Sequence, residues 1–298
     1  MDLLFSGVTI VTMDEAMHVY FDAYLGVTGT KISYISKDPP TQAPQKIMDA
    51  TGMVLMPGLI NCHTHLALSL LRGYAEDCGL SRWLSDCVLP REDRMDPRAA
   101  RAGVLLSLAE CIRFGITSVS ELYPFPEVTA QAVAEVGLKA NIAPALTLFS
   151  DESEDFDFEK DPSCRKLQEL VDQWHGYDAG RICVDAGIHA PYTSHYKLWE
   201  PLSDYAGEKG LRMQVHLSET AGEEAESQDR CGLTTAQLLD CHRVFDVPAA
   251  AIHCIYLSRE DMSLLARQGV SAVHCPVSNL KLIDGIAPVE EMVQAGMN

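Results

Sequence analysis

Apolar and polar positions follow one rhythm over residues 1–55 and another from residue 59 onward. In LLFSGVTIVTM, YFDAYLGVTGTKISYISK and KIMDATGMVLM, β-branched and aromatic residues are broken by Gly, Asp and Pro. That pattern predicts a small antiparallel β unit without a helix, closed by Pro57 and Gly58.

Beyond it, short aliphatic runs alternate with longer stretches of helical spacing. LMPGLINCHTH, ITSVSELY, KANIAPALTL, RICVDAGIHA, LRMQVHLSE, AAIHCIYL and SAVHCPVSN read as seven strands. RAARAGVLLSLAECIRFG, VTAQAVAEVG, KLQELVDQWHG, PLSDYAGEKG, TTAQLLDCHRV and EDMSLLARQG read as helices, and APVEEMVQAGMN begins another. Regular βα alternation predicts a parallel sheet, and the count predicts a (β/α)8 barrel with seven of its eight strands present. An open doubly wound sheet is the alternative, but no Gly-rich phosphate turn follows the first strand. The expected organisation is residues 1–55 as part of a small β-sandwich and residues 56–298 as the barrel.

The polar residues gather at one end of those strands. His63 and His65 follow the first, Glu121 ends the second, and His189, His216, His253 and His274 end the fourth to seventh. C-terminal strand ends surround a single mouth, where barrel enzymes place their chemistry. Residues i and i+2 of a strand share a face, so His63 and His65 can both reach inward while Cys62 and Thr64 face away. His216 is the best third ligand for an ion of zinc type. Glu219, three residues on, suits a general acid/base that shuttles a proton, or else an N-cap of the AGEEAES helix, for which Ser218 and Thr220 serve equally well. His253 could hold metal or hydrogen-bond the attacking water. His189, on a loop stiffened by Pro191, suits substrate contact, and His274 is left between an outer supporting role and a structural one.

Composition narrows the partners. The formal charge is −19, from 42 acidic against 23 basic side chains. That sign repels phosphate backbones and anionic membrane surfaces, so nucleic acid and membrane are not expected partners. Much of the excess is expected on solvated surface, as in DESEDFDFEKD at 151–161. No stretch approaches 18 consecutive apolar residues, and no basic region precedes the apolar run of MDLLFSG, so neither a membrane span nor a secretory signal is expected. Ten cysteines scattered singly read as reduced side chains of a cytoplasmic protein.

PGLINCHTHLALSLLRG, WLSDCVLPREDRM, HAPYT, VHLSET, AIHC and HCPVSNLKLIDGIAP together resemble the metal-dependent amidohydrolase superfamily. Within it, they are similar to the 5′-methylthioadenosine/S-adenosylhomocysteine deaminase group. The resemblance implies a (β/α)8 barrel flanked by a small β-sandwich, and hydrolytic deamination of an adenosine-like nucleoside. It implies one ion per subunit, Zn2+ (Fe2+ in some relatives), held by His63, His65 and His216. Glu219 would be the proton shuttle and His253 the partner of the attacking water. His189 would contact the substrate near its reacting ring. Trp83 would pack against the substrate and Glu92 would bind its ribose hydroxyls; the alternatives are a helix packing residue and an ion pair with Arg91 or Arg94. Relatives with the same ligands act on guanine, cytosine or triazines, which keeps a second substrate class open, and an inactive scaffold is the third reading. Family members are commonly dimeric or larger, which makes a homo-oligomer compatible with the resemblance.

The family completes its metal site with an aspartate at the end of strand eight. Here the sequence ends at AGMN, before that strand, so no residue can be matched to the aspartate. The expectation is a sheet left open between strands one and seven, in a fragment of a longer product or a truncated one.

Overall fold

The computed structural model describes residues 1–149 and 153–298. The start of the acidic run, Asp151 and Glu152, lies outside the described residues. The chain divides into two compact units, Met1–Leu59 and Ile60–Asn298.

The first unit is one five-stranded sheet. Its strands are β1 (Leu3–Val11), β2 (Val19–Thr28), β3 (Lys31–Ser36), β4 (Lys46–Asp49) and β5 (Val54–Leu55). The order is β3-β2-β1-β4, with β5 also on β1. β1–β2 and β2–β3 are antiparallel, as the hairpin-like sequence predicts. β4 and β5, however, join β1 in parallel, which corrects the all-antiparallel expectation. The difference arises because the chain after β3 crosses back to the far edge of β1 instead of turning beside β3. Leu4, Val8, Ile10, Ala23, Leu25 and Ala50 form the core of this unit.

The second unit holds the parallel strands. They are β6 (Leu59–Thr64), β7 (Ile116–Leu122), β8 (Lys139–Ala143), β9 (Ile182–Val184), β10 (Ala186–Ile188), β11 (Met213–Leu217), β12 (Ala249–His253) and β13 (Ser271–Val273). They pair in the orders β6-β7-β8-β9 and β10-β11-β12-β13. A parallel bridge from Leu146 to Ile188 carries the run of β8 on to β10. The stretch read as a single fourth strand is therefore interrupted once, at Asp185. Its buried carboxylate accepts from Arg212 at 2.9 Å, Gln214 at 2.8 Å and Asn141 at 3.2 Å, which fixes the kink. Counting β9 and β10 as one gives seven barrel strands. At Gly187 the strand passes so close to Pro144 O and the side chains of Leu122 and Ala143 that an added Cβ would collide with them.

Helices separate the strands. Pro97–Arg113 is capped by Asp96, which accepts from Ala99 N at 2.7 Å, and Pro162–Trp174 by Asp161. Thr234 and Ser258 form full capping boxes on Thr235–Cys241 and Arg259–Arg267. The helix expected from Pro201 starts earlier, at Tyr196, with Pro201 inside it. Apolar faces of these helices pack on the strands in one continuous core that includes Leu108, Ile142, Leu167, Trp199 and Leu265.

Among the described residues β13 and β6 do not pair with one another. β13 instead receives one rung from the final residue: Ala272 N donates to Asn298 O at 2.9 Å, and Asn298 Nδ2 to Ser271 Oγ at 3.0 Å. No helix among the described residues is long and apolar enough to cross a membrane.

Candidate active site

A cavity of about 990 Å³ opens at the C-terminal ends of the parallel strands. His63, His65, His189, His216, Glu219, His253, His274, Trp83 and Glu92 all line it. Glu121 does not: its carboxylate turns the other way, which corrects its expected place at the mouth. It is fully buried and accepts from Thr64 Oγ1 at 2.5 Å and from Leu66 N at 3.0 Å. Thr64 thus points away from the mouth, as strand parity predicts, and Cys62 lies exposed at the rim.

The histidines converge. Nε2 of His216 stands 3.2 Å from Nε2 of His63, and one nitrogen each of His63, His216 and His253 lies within 4.8 Å of the others. His65 packs its ring 4.6 Å from that of His63 and 5.4 Å from that of His216. The outward nitrogens are anchored. His65 Nδ1 faces Leu122 O at 2.6 Å, His216 Nδ1 faces His189 O at 2.5 Å, and His253 Nδ1 faces Asn279 Oδ1 at 2.8 Å. Each acceptor fixes the proton on Nδ1 and turns the Nε2 lone pair toward the cavity, as in imidazoles anchored to bind a metal.

Burial holds the rings neutral. His63 and His216 are pushed well below the usual imidazole range, first by desolvation and then by the neighbouring imidazoles. His65, His189 and His253 are brought down to about 4, again first by burial. His216, whose Nδ1 proton is held by His189 O, turns its Nε2 lone pair toward Nε2 of His63, and His63 Nδ1 has no hydrogen-bond partner among the described residues. A cation held by both Nε2 lone pairs would leave the His63 proton on Nδ1. Zinc–nitrogen bonds of about 2.0–2.1 Å at a tetrahedral angle put two ligand atoms about 3.4 Å apart, close to the observed spacing. These residues fit a single zinc-type ion.

Glu219 is placed by an irregular turn. Ser218 takes a positive φ of 51°, which swings the chain out of β11 and brings Glu219 inward. Glu223 accepts from Ser218 N and Glu219 N, both at 2.9 Å, and so holds the turn, while Thr220 caps Ala221–Cys231. Glu219 is left free of capping work. Its Oε1 lies 3.2 Å from His253 Nε2, both side chains being buried. Burial, then the carboxylates of Asp284 and Glu223, push Glu219 up to about 9. With the His253 proton on Nδ1, Glu219 carries the hydrogen of this contact. His253 itself has φ 75°, a second strained residue at the same place.

Trp83 and Glu92 lie on a helical stretch running from Leu80 to Glu92 and loosened into a π-turn over Trp83–Val88. Glu92 forms no ion pair with Arg91 or Arg94; Tyr123 OH donates to its Oε1 at 2.5 Å, and burial pushes its carboxyl above the usual carboxylate range. His189 Nδ1 sits 2.8 Å from Thr193 Oγ1, and His274 is exposed on the cavity wall. Tyr123, Glu223, Asn279 and Asp284 were not anticipated. Thr220 and Glu223 have the spacing of a capping box, a usable signal. Asn279 sits inside the quoted HCPVSNLK stretch with no local sign of its partner.

The sequence profile of the amidohydrolase family matches residues 54–298. A 5-methylthioadenosine/S-adenosylhomocysteine deaminase from Pelotomaculum thermopropionicum is 35% identical over 99% of this chain and 67% of its own length. One of the same name from Moorella thermoacetica is 38% identical over 85% of this chain and 57% of its own. An adenosine deaminase from Xanthomonas campestris, solved with bound zinc, superposes with a TM-score of 0.90 at 31% identity, covering 99% of this chain and 67% of that one. The chain thus spans about two thirds or less of the length of these relatives. With the barrel, the strand-end histidines and these matches together, the chain belongs to the amidohydrolase family.

Proposed function

We propose that this chain is the metal-dependent part of a hydrolytic deaminase of adenosine-like nucleosides. The substrates are 5′-methylthioadenosine, S-adenosylhomocysteine or adenosine, and the products are the inosine-type nucleoside and ammonia. One observation carries the reading: the buried Glu219 carboxyl meets His253 Nε2 at 3.2 Å beside a cluster of neutral imidazoles in a single cavity.

His63, His65 and His216 are assigned as ligands of one ion, with His253 facing the same point. A bound Zn2+ or Fe2+ supplies the Lewis acidity that makes water a nucleophile near neutral pH. Glu219 gives its proton to the ring nitrogen beside the reacting carbon and takes one from the water that adds there. It passes that proton to the departing amine and recovers the last one as the carbonyl forms. Water is consumed, ammonia leaves, and the carboxyl ends as it began. His253, oriented by Asn279, steadies the oxygen during addition. Trp83 and His189 bound the base, and Glu92 with Tyr123 meets the ribose hydroxyls, which favours nucleosides over free bases. Ten free cysteines support a reducing, cytoplasmic setting.

The test is ammonia release by the zinc-loaded 298-residue chain from each of the three nucleosides, with and without chelator. Chelator-sensitive release supports the reading. A chain that binds zinc stoichiometrically and releases no ammonia overturns it.

A further inference from the structure

The turn that carries Glu219 is held against its own preference. Ser218 is buried and left-handed, and so are His253 and Cys254 where β12 ends. Cys254 N donates to Leu217 O at 3.0 Å, which ties the two strained strand ends together. Residues other than glycine keep such a conformation only where their surroundings impose it. Each polar atom of Ser218 is engaged. Its carbonyl accepts from Ile255 N and Tyr256 N, both at 2.9 Å, and its hydroxyl donates to Glu224 Oε1 at 2.6 Å. Its N–H donates to Glu223 Oε1, and the N–H of Glu219 to Glu223 Oε2. In a capping box the third helical residue reaches back to the N–H of the capping residue itself. Glu223 is the third residue of the helix capped by Thr220, yet it reaches past Thr220 to the two residues before it. Both oxygens of this buried side chain thus serve the turn and not the helix end.

Resting on the deaminase reading above, we infer that Glu223 is a positioning residue for the reaction: it keeps Ser218 left-handed and thereby keeps the Glu219 carboxyl at His253. Glu219 lines the cavity and Glu223 does not, so Glu223 acts only through its neighbour. Without its two bonds, Ser218 relaxes toward extended or right-handed backbone, and the side chain of Glu219 turns away from the reacting ring. A proton-relaying group misplaced by about 1 Å loses about 10²-fold in rate.

Ammonia release by zinc-loaded variants is measured with whichever of the three nucleosides the native chain turns over fastest. Glu223→Gln sets an NH2 group against one of the two N–H donors. Its kcat is expected to fall about 100-fold, with KM within about 3-fold and zinc content unchanged. Ser218→Gly takes a positive φ at no steric cost, and in the Glu223→Gln background it is expected to restore kcat about 10-fold. Thr220→Ala removes the helix cap and leaves both Glu223 bonds; it is expected to lower urea stability while kcat stays within about 3-fold. An unchanged kcat in Glu223→Gln, no gain from the glycine, or an equal loss in Thr220→Ala overturns the inference. Should Glu223→Gln not fold, the double variant decides: folded and active supports the inference, unfolded or inactive overturns it. A native chain that releases no ammonia overturns the deaminase reading, and the 15N resonance of His253 Nε2 then decides the role of Glu223. Movement in Glu223→Gln toward its position in Glu219→Ala supports that role; an unmoved resonance overturns it.

Discussion

His63 and His216 are 153 residues apart in the chain, yet their Nε2 atoms stand 3.2 Å from one another. The Nδ1 proton of His216 is held by His189 O, so His216 offers His63 a bare Nε2, the kind of atom through which an imidazole binds a metal ion. The chain is expected to bind one equivalent of zinc, and His216→Ala or His63→Ala to abolish it, read by elemental analysis after dialysis. At free zinc near 100 times Kd the ion stabilises the fold by about 2.7 kcal/mol, a rise of roughly 5 °C in melting temperature. Both variants are expected to lose that rise.

The buried carboxyl of Glu219 is in contact with His253. Glu219→Gln keeps the shape and removes the proton relay. The rate of ammonia release is expected to fall by about 10²–10⁴-fold while zinc content is unchanged. An unaltered rate assigns the relay to another group.

Asn279 holds the His253 ring through Nδ1. Asn279→Ala frees the tautomer and the ring orientation. Expected outcomes are a loss of kcat of about 10-fold or more with little change in KM, and a stability loss of about 1 kcal/mol. Kinetics at saturating substrate and urea unfolding read the two effects separately.

Glu121 gives a pH signature. Burial raises it to about 8, against an ordinary carboxyl near 4.5 in the unfolded chain. Between those values the folded state holds the extra proton, so its contribution is fully present below pH 4.5 and is lost as pH rises through 8. Urea unfolding of the native chain and of Glu121→Gln, measured in parallel at pH 5.5 and 8.5, cancels the histidine titrations that both share. The native chain is expected to lose about 3 kcal/mol relative to the variant over that interval. A constant difference contradicts the raised value.

The seven strands were legible because each is a short aliphatic run closed by a polar residue, and the histidines fell at those closures. His63 and His65 were legible as a pair because strand parity is local. Glu121 was misplaced by the same reasoning: ending a strand does not decide which face a side chain takes, and Thr64 at the end of the neighbouring strand, with the Leu66 amide just beyond it, draws it outward. The parallel addition of β4 and β5 to β1 depends on a crossing that no local pattern encodes. Pro201 looked like a first-turn proline, since that is where helices tolerate one best, but the turn before it is held by His195 as cap. Asn279 was invisible because its partner is 26 residues earlier and lies on a different element.

Gly187 shows how far from the chemistry the ligand geometry is decided. A methyl group there would meet the Pro144 carbonyl and the side chains of Leu122 and Ala143, and the strand would have to move outward to admit it. Two residues further on, His189 offers the carbonyl that anchors the imidazole of His216. A single added carbon at a position that touches neither ion nor nucleoside would therefore tilt one ligand out of line. The narrowest passage between two backbone runs thus acts as the fixed jig against which the metal site is aligned.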